Sequence, residues 1–320
     1  MRAFVTGSKG FVGGWLTKEL EGGGHQTIEE PEVDVTDRLA VWRALNATRP
    51  DAVVHLAAIS SAHQAAADLH TAFAVAVAGT INVFEGVRAL PNPPVVLITG
   101  SSEVYRVAGT EDLPLSEMSP LAPATPYALS KAAQESVALS YAARFGLRVV
   151  VTRSFNHTGP GQRPLFVVPA IAQRVLAAAR GQTEDVAIGN ADLRRDISDV
   201  RDVVNAYRLL LEAAIATDIA IGGLLVNVCS GRTVSIRWII DELCRLAGVQ
   251  PRLRVDQGLL RAGEALEVRG DPALIKRLVD WTAATEISKT VADVWDSTVN
   301  LASISLAPRT SRTPITPPVT

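Results

Sequence analysis

This sequence has few cysteines, a small net charge and few long apolar runs. The 320 residues include only two cysteines, Cys229 and Cys244, and carry a formal net charge of −2. Two cysteines in what reads as a strand end and a helix argue against a disulfide framework or a cysteine metal site. The basic residues are spread along the chain, which argues against a nucleic-acid partner. We therefore expect neither a metal ion nor nucleic acid.

A membrane segment is also not expected. No uninterrupted apolar run approaches the roughly 18 residues that a membrane span needs. Met1 leads directly into an apolar strand, so we expect no signal peptide and a cytoplasmic location. Aromatic residues make up only 5% of the chain, but 48% of it is apolar, which suffices for one sizeable core and a smaller lobe.

The N-terminal segment reads as a strand, a tight turn and a helix. An apolar run at residues 2–6 is followed by GSKGFVG, and then by apolar residues at helical spacing. The three glycines, Gly7, Gly10 and Gly13, would let the backbone approach a pyrophosphate, whose charge the N–H groups and dipole of the helix start would meet. This pattern favours a dinucleotide site over an ordinary strand-to-helix turn.

The segment YALSK sets a phenol and an ammonium, Tyr127 and Lys131, one turn apart on the same helix face. A free tyrosine has a pKa of about 10, and a nearby cation favours the phenolate and lowers that pKa. The sequence therefore predicts that Lys131 lowers the pKa of Tyr127. On its own this spacing occurs often by chance, and a half-buried tyrosine beside an exposed lysine would then be the simpler interpretation.

A polar stretch, TGSSEVY, follows the apolar strand predicted at residues 95–98. In an open parallel sheet, ligands bind in the crevice beyond the carboxyl ends of the strands. Ser101 and Glu103 are therefore expected to emerge beside the cofactor. The short strand predicted at residues 25–28 ends in Glu29, where an acidic side chain would hydrogen-bond the ribose hydroxyls and repel a 2′-phosphate. That is a mild lean towards NAD over NADP, although Glu29 equally fits a solvated turn.

The glycine turn, the strand-end serine and the Tyr-x-x-x-Lys pair, in this order and spacing, resemble the extended short-chain dehydrogenase/reductase family from residue 1 to about 303. Three further segments are most similar to its GDP-sugar branch: SFNHTGPGQ at 154–162, RRDISDVRDV at 194–203 and NVCSG at 227–231. That branch includes GDP-4-keto-6-deoxy-D-mannose reductases and GDP-mannose 4,6-dehydratases.

The resemblance implies an α/β fold, a Rossmann doubly wound parallel sheet with a smaller α/β C-terminal substrate lobe. Residues 1–155 and about 196–226 would form the dinucleotide-binding domain. Residues of about 156–195 and 227–306 would form the nucleotide-sugar domain. Residues 307–320 are rich in proline, threonine and serine, and we expect a disordered tail there.

The resemblance also implies the residues of the cofactor site. NAD(P)H is the expected cofactor, and Asp34 is similar to the family's adenine-contacting acid. Its alternative role is to cap the helix that follows. The full set expected at the cofactor is Gly7, Gly10, Phe11, Val12, Gly13, Glu29, Asp34, Val35, Leu56, Ala57, Ala58, Tyr127 and Lys131.

The substrate residues implied by the resemblance lie later in the chain. We expect Ser102, Asn156, Arg195, Arg261 and Glu264 to contact a GDP-sugar. Arg195 would bind the diphosphate, although the residue two positions on is isoleucine rather than the family's aromatic, and a surface ion pair with the next aspartate is the alternative. Alanine replaces the family's proline after Arg261, and arginine at position 106 replaces a glycine.

A homodimer is expected from the same resemblance. In relatives, the helices equivalent to residues 69–90 and 126–145 form a four-helix interface between two copies. Residues 69–90 are apolar at helical spacing on more than one face, which predicts burial on two sides. The alternative is a helix buried only within its own domain.

The activity that the resemblance favours is reduction of the C4 ketone of a GDP-4-keto-6-deoxyhexose, with Tyr127 as acid, Ser101 beside it and Lys131 in support. Dehydratases of this branch use a glutamate at the place of Glu103 as a base, so a GDP-mannose 4,6-dehydratase stays an alternative, as does a 4-epimerase with tightly held NAD. His157 is a further candidate acid. A non-catalytic, NAD(P)-sensing regulator is the alternative from another class.

Overall fold

The computed structural model describes residues 1–28, 33–60, 62–107, 109–260 and 263–306. Two of the predicted site residues, Glu29 and Arg261, lie outside the described residues. So does the predicted tail at 307–320.

A six-stranded sheet forms the larger part of the molecule, with strand order β2-β1-β3-β4-β5-β9 and every pairing parallel. Its inner strands are continuous apolar runs with both faces buried, as a parallel sheet between two helix layers requires. The predicted Rossmann α/β fold is confirmed. The strands are β1 Arg2–Thr6, β2 Gln26–Thr27, β3 Ala52–His55, β4 Val95–Thr99, β5 Val149–Ser154 and β9 Leu224–Val228.

Helices cover both faces of this sheet. On one face α1 (Phe11–Gly22) packs beside α8 (Val200–Ala216), with Leu16, Tyr207 and Leu210 in the shared core. The other face carries three helices, α2 (Arg38–Thr48), α5 (Gly79–Arg88) and α6 (Pro126–Phe145), whose apolar side chains meet the sheet residues in a second core. Two shorter helices, α3 Ala62–Ala67 and α4 Leu69–Phe73, precede α5.

The helix predicted at residues 69–90 is interrupted by a π-helical turn. It runs as α4, a π-helical turn at Ala74–Ala78, and then α5. By length and composition alone Leu69–Arg88 could cross a membrane. However, Val83, Phe84 and Val87 pack into the core between α5 and α2. The opposite side of α5 presents Ile81, which is 36% exposed.

The second lobe has its own core. Three helices, α7, α9 and α11, pack together over two small sheets, one of order β10-β8-β12 with β6 paired to β8, the other β11-β7. Its elements are β6 Asn156–Thr158, α7 Val167–Ala179, β7 Asp185–Ile188, β8 Arg194–Asp199, β10 Thr233–Ser235, α9 Ile236–Ala247, β11 Arg252–Val255, β12 Glu267–Val268 and α11 Ile287–Leu306. Helix α10 spans Ala273–Val279, and short 3-10 turns occur at Ser102–Val104, Thr110–Asp112 and Gln257–Leu259.

The division into two domains stays a prediction, and the packing adds one detail to it. Helix α10 lies against α8 and β9, and its Ile275 joins the core beneath the six-stranded sheet. This part of the C-terminal sequence therefore packs with the larger lobe.

Candidate active site

A crevice of about 1950 Å³ runs between the two lobes. The residues immediately after β1, β3, β4 and β5 all line it, which is the edge where an open parallel sheet binds ligands. From the second lobe, Arg195, Ile236 and Leu259 line its far end. One continuous space therefore joins the glycine turn to the predicted diphosphate arginine.

The glycine turn forms a cradle that side chains would fill. Gly7 has φ +72°, and a Cβ there would lie 3.0 Å from the Ala57 nitrogen. A Cβ on Gly13 would lie 2.5 Å from the carbonyl oxygen of Ser8, so α1 can start here only without a side chain. This exposed backbone at a helix start fits the pyrophosphate of a dinucleotide.

Most of the predicted cofactor residues come together along one wall of the crevice. Glu29 lies outside the described residues, and Lys131 is buried behind the wall. The residues that line it are Gly7, Gly10, Phe11, Val12, Gly13, Asp34, Val35, Leu56, Ala57, Ala58 and Tyr127.

Asp34 is exposed on this wall and does not cap the following helix. Its carboxylate accepts hydrogen bonds from the Thr36 nitrogen at 2.9 Å and the Thr36 hydroxyl at 2.7 Å, which lower the pKa of Asp34. Helix α2 is capped by Asp37 instead, through the nitrogens of Leu39 and Ala40. The alternative of Asp34 as a helix cap is therefore wrong, because the cap lies three residues further on.

The start of α6 places Tyr127 at the crevice. Thr125 caps the helix by accepting from the Ala128 nitrogen at 3.0 Å, and Pro126 occupies the first turn, where no N–H is needed. Ser101 lies two residues beyond the end of β4 and is 7% exposed. The Ser101 side chain lies close enough to the Tyr127 phenol to lower its pKa. The structure thus brings the predicted serine and tyrosine together.

The pKa of Tyr127 differs from the sequence expectation. Burial raises it, the charge of Glu103 raises it further, and the nearby Ser101 side chain lowers it by less, so the net direction is upward. The predicted lowering by Lys131 is wrong for this arrangement, because removing the phenolate from water outweighs the favourable interactions. The phenol accordingly stays protonated at neutral pH.

Lys131 is 3% exposed and has two hydrogen-bond acceptors. Its ammonium donates to the carbonyl oxygen of Thr99 at 2.7 Å and to Oε1 of Gln134 at 2.9 Å. Burial lowers the pKa of Lys131 to about 8. The lysine is therefore fixed against the end of β4, and its charge is sensitive to pH just above neutrality.

Strand β6, which follows β5 directly, contributes Asn156 and His157 to the crevice. Nδ1 of His157 lies 3.0 Å from the carbonyl oxygen of Phe155. A carbonyl can only accept, so Nδ1 carries the proton, and burial lowers the pKa of the ring. The neutral ring then has Nε2 as an acceptor. This chemistry suits binding a hydroxyl better than donating a proton.

Arg195 and Glu264 form an ion pair at the far end of the crevice. Arg195 is 9% exposed, and its Nη2 donates to Glu264 Oε1 at 2.8 Å. Its Nη1 donates to the carbonyl oxygen of Ala265 at 3.0 Å. The two predicted substrate residues are thus joined although 69 positions separate them. Arg261 lies outside the described residues.

Asp196 is not the partner of Arg195, so the alternative of that ion pair is wrong. Asp196 is 1% exposed and faces the opposite way. Its carboxylate accepts from the nitrogen and hydroxyl of Ser230 at 2.9 and 2.6 Å, from the Gly231 nitrogen at 2.9 Å and from the Gly270 nitrogen at 3.2 Å. These four bonds satisfy the buried carboxylate.

Trp15 and Arg174 are two of the crevice residues that the sequence did not predict. Trp15 lies in the first turns of α1 and donates from Nε1 to the carbonyl oxygen of Pro160 at 3.2 Å, which ties the glycine-rich turn after β6 to the cofactor wall. Arg174 lies on α7 and donates to the Ala187 carbonyl at 3.0 Å. The signal that could have indicated it is that Arg174 is the one charged residue in the helix VVPAIAQRVLAAA.

Among the described residues, there is no group of three or more histidine, cysteine or acidic side chains able to hold a metal ion.

The parallel sheet, the glycine cradle and the serine, tyrosine and lysine at the end of β4 define an NAD(P)-binding oxidoreductase of the extended short-chain dehydrogenase/reductase class. The family model described as GDP-mannose 4,6 dehydratase matches residues 25–294, and the chain belongs to that family.

Similar proteins include both reductases and dehydratases. A GDP-6-deoxy-D-mannose reductase of Pseudomonas aeruginosa is 32% identical over 308 residues, covering 93% of this chain and 98% of the relative. A GDP-mannose 4,6-dehydratase of Vibrio cholerae is 23% identical over 292 residues, covering 82% and 76%. The solved structure of RMD from Pseudomonas aeruginosa complexed with NADPH superposes with a TM-score of 0.85 at 31% identity, covering 94% and 99%.

Proposed function

We propose that the protein reduces the C4 ketone of a GDP-4-keto-6-deoxyhexose with NAD(P)H, giving a GDP-6-deoxyhexose such as GDP-D-rhamnose. The observation that carries this proposal is that Ser101 and Tyr127 lie together in a single crevice, which runs from the glycine cradle to Arg195. The 32% identity to a GDP-6-deoxy-D-mannose reductase over 93% of the chain supports the choice of substrate.

The cofactor would lie along the wall from the glycine cradle to Tyr127, with its pyrophosphate on the backbone of Gly7, Gly10 and Gly13. When bound, NAD(P)H supplies the hydride for the ketone carbon. Asp34 and Val35 would meet the adenosine end. The similar Pseudomonas aeruginosa protein is complexed with NADPH in its solved structure, so we propose that either nicotinamide cofactor is accepted, with the preference to be measured.

Tyr127 would act as the acid. Its raised pKa keeps the phenol protonated at neutral pH, so it can donate a proton to the oxygen that becomes an alkoxide. Ser101 would hydrogen-bond the same oxygen and then stabilise the phenolate that Tyr127 becomes, since its nearby side chain favours that form. Lys131 would place its positive charge beneath the pair and hold the nicotinamide ribose.

The far end of the crevice would hold the rest of the substrate. Arg195 is buried and offers a planar guanidinium, the group best matched to the oxygens of a diphosphate. Glu264 already holds one side of that guanidinium and would orient it. Asn156 and Ser102 would contact the sugar, and Arg261 would contact the nucleotide end.

A second candidate activity is dehydration, and Glu103 is the reason. Glu103 is exposed at the crevice and close enough to raise the pKa of Tyr127. A carboxylate in this position could remove a proton from a sugar carbon before water is lost. The lower identity to the Vibrio cholerae dehydratase, 23%, makes this the weaker alternative.

The test is to mix the purified protein with GDP-4-keto-6-deoxy-mannose and either NADH or NADPH and to follow the absorbance of the reduced nicotinamide. Oxidation of the cofactor is expected, and the two rates give the preference. Tyr127→Phe should lower kcat by roughly 10²- to 10⁴-fold and leave NADPH binding intact. Full activity of that variant, or no oxidation by the wild type, would contradict the proposal.

We propose in addition a homodimer in the cytoplasm, formed through the helices at residues 69–90 and 126–145. In support, Leu69, Ile81 and Leu129 are 48%, 36% and 48% exposed on these helices. Ile81→Glu should shift the mass measured by light scattering from two chains to one. Met118→Glu, at a 92% exposed position outside both helices, is the control that should stay dimeric.

A further inference from the structure

Gln134 is a fully buried amide three residues after Lys131 on α6. It is 0% exposed, and its side chain has a partner on each side. Oε1 accepts from the Lys131 ammonium at 2.9 Å, and Nε2 donates to the hydroxyl oxygen of Thr80 at 2.9 Å. Thr80, on α5, is also 0% exposed. Burying an amide costs free energy unless it is hydrogen-bonded, so both contacts matter.

These contacts fix which way the amide faces. An ammonium can only donate, so the amide oxygen has to face Lys131 and the NH2 group has to face Thr80. The threonine oxygen, in turn, is the group that keeps the amide from rotating. The orientation of Gln134 is therefore determined by one residue on its own helix and one on the neighbouring helix.

The ammonium is oriented by the same contacts. Two of its three N–H bonds are directed, one to the Thr99 carbonyl at the end of β4 and one to Gln134. Tetrahedral geometry then fixes the direction of the third N–H. With the Thr99 contact alone, the ammonium could still turn about that bond. Gln134 supplies the second point that removes this freedom.

The neutral oxygens of Thr99 and Gln134 also favour the charged form of a lysine that burial drives towards neutrality. Among the described residues, His55 on β3 is a titratable group close enough to interact with this ammonium. His55 is buried, and its pKa is lowered to about 3, first by burial and then by Lys131, so it stays neutral. The next residue along α6, Glu135, is engaged by Arg153.

We propose that Gln134 is a positioning residue, which holds the Lys131 ammonium charged and in one orientation and is itself held by Thr80. This rests on the role proposed above for Lys131. Gln134 is not a catalytic residue, since it acts only through the lysine. The three-member chain of Thr80, Gln134 and Lys131 links α5 to the active site.

The experiment compares Gln134→Met, which keeps the volume and removes the acceptor, with Gln134→Glu, which keeps the acceptor and adds a negative charge. Two quantities are measured from pH 6 to 10: the rate of ketone reduction, and the dissociation constant of NADPH from its fluorescence without substrate. Gln134→Met should lower kcat about tenfold, as expected for losing a hydrogen bond to a charged group.

The two variants should move the alkaline limb of the pH profile in opposite directions. Without its acceptor, Lys131 loses its charge at lower pH, so the limb of Gln134→Met should move down by about one pH unit. A carboxylate favours the ammonium, so the limb of Gln134→Glu should move up. Thr80→Val should move the limb in the same direction as Gln134→Met but less, and Ser136→Ala, at an exposed position of α6, should match the wild type.

The proposal would be overturned if the alkaline limbs of both Gln134 variants coincided with that of the wild type, or if both moved in the same direction. Should Gln134→Met fail to fold in thermal melts, Gln134→Glu and Thr80→Val still have opposite expected shifts. A wild type that binds NADPH but reduces no GDP-ketosugar would contradict the proposed function alone, because the pH dependence of NADPH binding in the variants still tests Gln134.

Discussion

Two adjacent glycines at the start of α1 should respond oppositely to the same substitution. A Cβ on Gly13 would lie 2.5 Å from the Ser8 carbonyl oxygen, a backbone atom that cannot move without opening the turn. A Cβ on Gly14 would have nothing within 4 Å, and the residue is exposed in the helix. Gly13→Ala should therefore lower the free energy of unfolding by about 1 to 3 kcal/mol, the usual cost of overpacking.

Gly14→Ala should instead raise the free energy of unfolding by about 1 kcal/mol, because alanine favours the helix over glycine by that amount. Urea unfolding at fixed pH measures both values. Fluorescence titration with NADPH adds a second readout, in which Gly13→Ala is expected to weaken binding at least tenfold, about 1.4 kcal/mol, because the cradle is distorted. A Gly13→Ala protein as stable as the wild type, or a Gly14→Ala protein destabilised as much as Gly13→Ala, would refute the reasoning.

Three further predictions concern charged groups of the site. Glu103→Gln should leave ketone reduction within about threefold of the wild type, whereas a dehydratase would lose its base and about 10²-fold or more of its rate; assays with GDP-4-keto-6-deoxy-mannose and with GDP-mannose distinguish these outcomes. Arg195→Lys should raise KM for the GDP-sugar about tenfold with little change in kcat, since a point charge replaces a two-pronged donor; an unchanged KM would argue against diphosphate binding. Burial lowers the pKa of Lys131 from 10.5 to about 8, so the unfolded chain binds more protons than the folded one between these two pH values. The wild type should therefore gain stability relative to Lys131→Met as the pH rises through that window. A constant difference between their free energies of unfolding in urea from pH 7 to 10.5 would contradict the lowered pKa.

The parts of this molecule that the sequence predicts well are those set by local pattern. Gly7, Gly10 and Gly13 indicate a turn because only glycine fits there, and the apolar run of β4 followed by polar residues indicates a strand end at the ligand edge. Tyr127 and Lys131 share a helix face through simple periodicity. Together with the family resemblance that they carry, these signals predicted the Rossmann fold and most residues of the crevice wall.

The parts that the sequence did not predict depend on distant neighbours. The pairing of Arg195 with Glu264 joins residues 69 positions apart, and no local pattern indicates it. The direction in which the pKa of Tyr127 shifts depends on how much water is excluded around the phenol, and only the packing of the folded chain decides that. Gln134 reads as an ordinary polar helix position until Thr80 is placed beside it. Asp34 and Asp37 are both suitable caps by spacing, and the backbone at the start of α2 selects the second.

The carboxylate of Asp196 also has a consequence for how the chain folds. Its partners come from the segment after β9 and from Gly270, which is 74 positions away. Because β9 belongs to the large sheet, the carboxylate is satisfied only when both lobes are in place, and burying it earlier would cost several kcal/mol. Assembly of the small lobe is thereby coupled to that of the large one. We expect the two lobes to unfold in a single cooperative transition rather than one after the other.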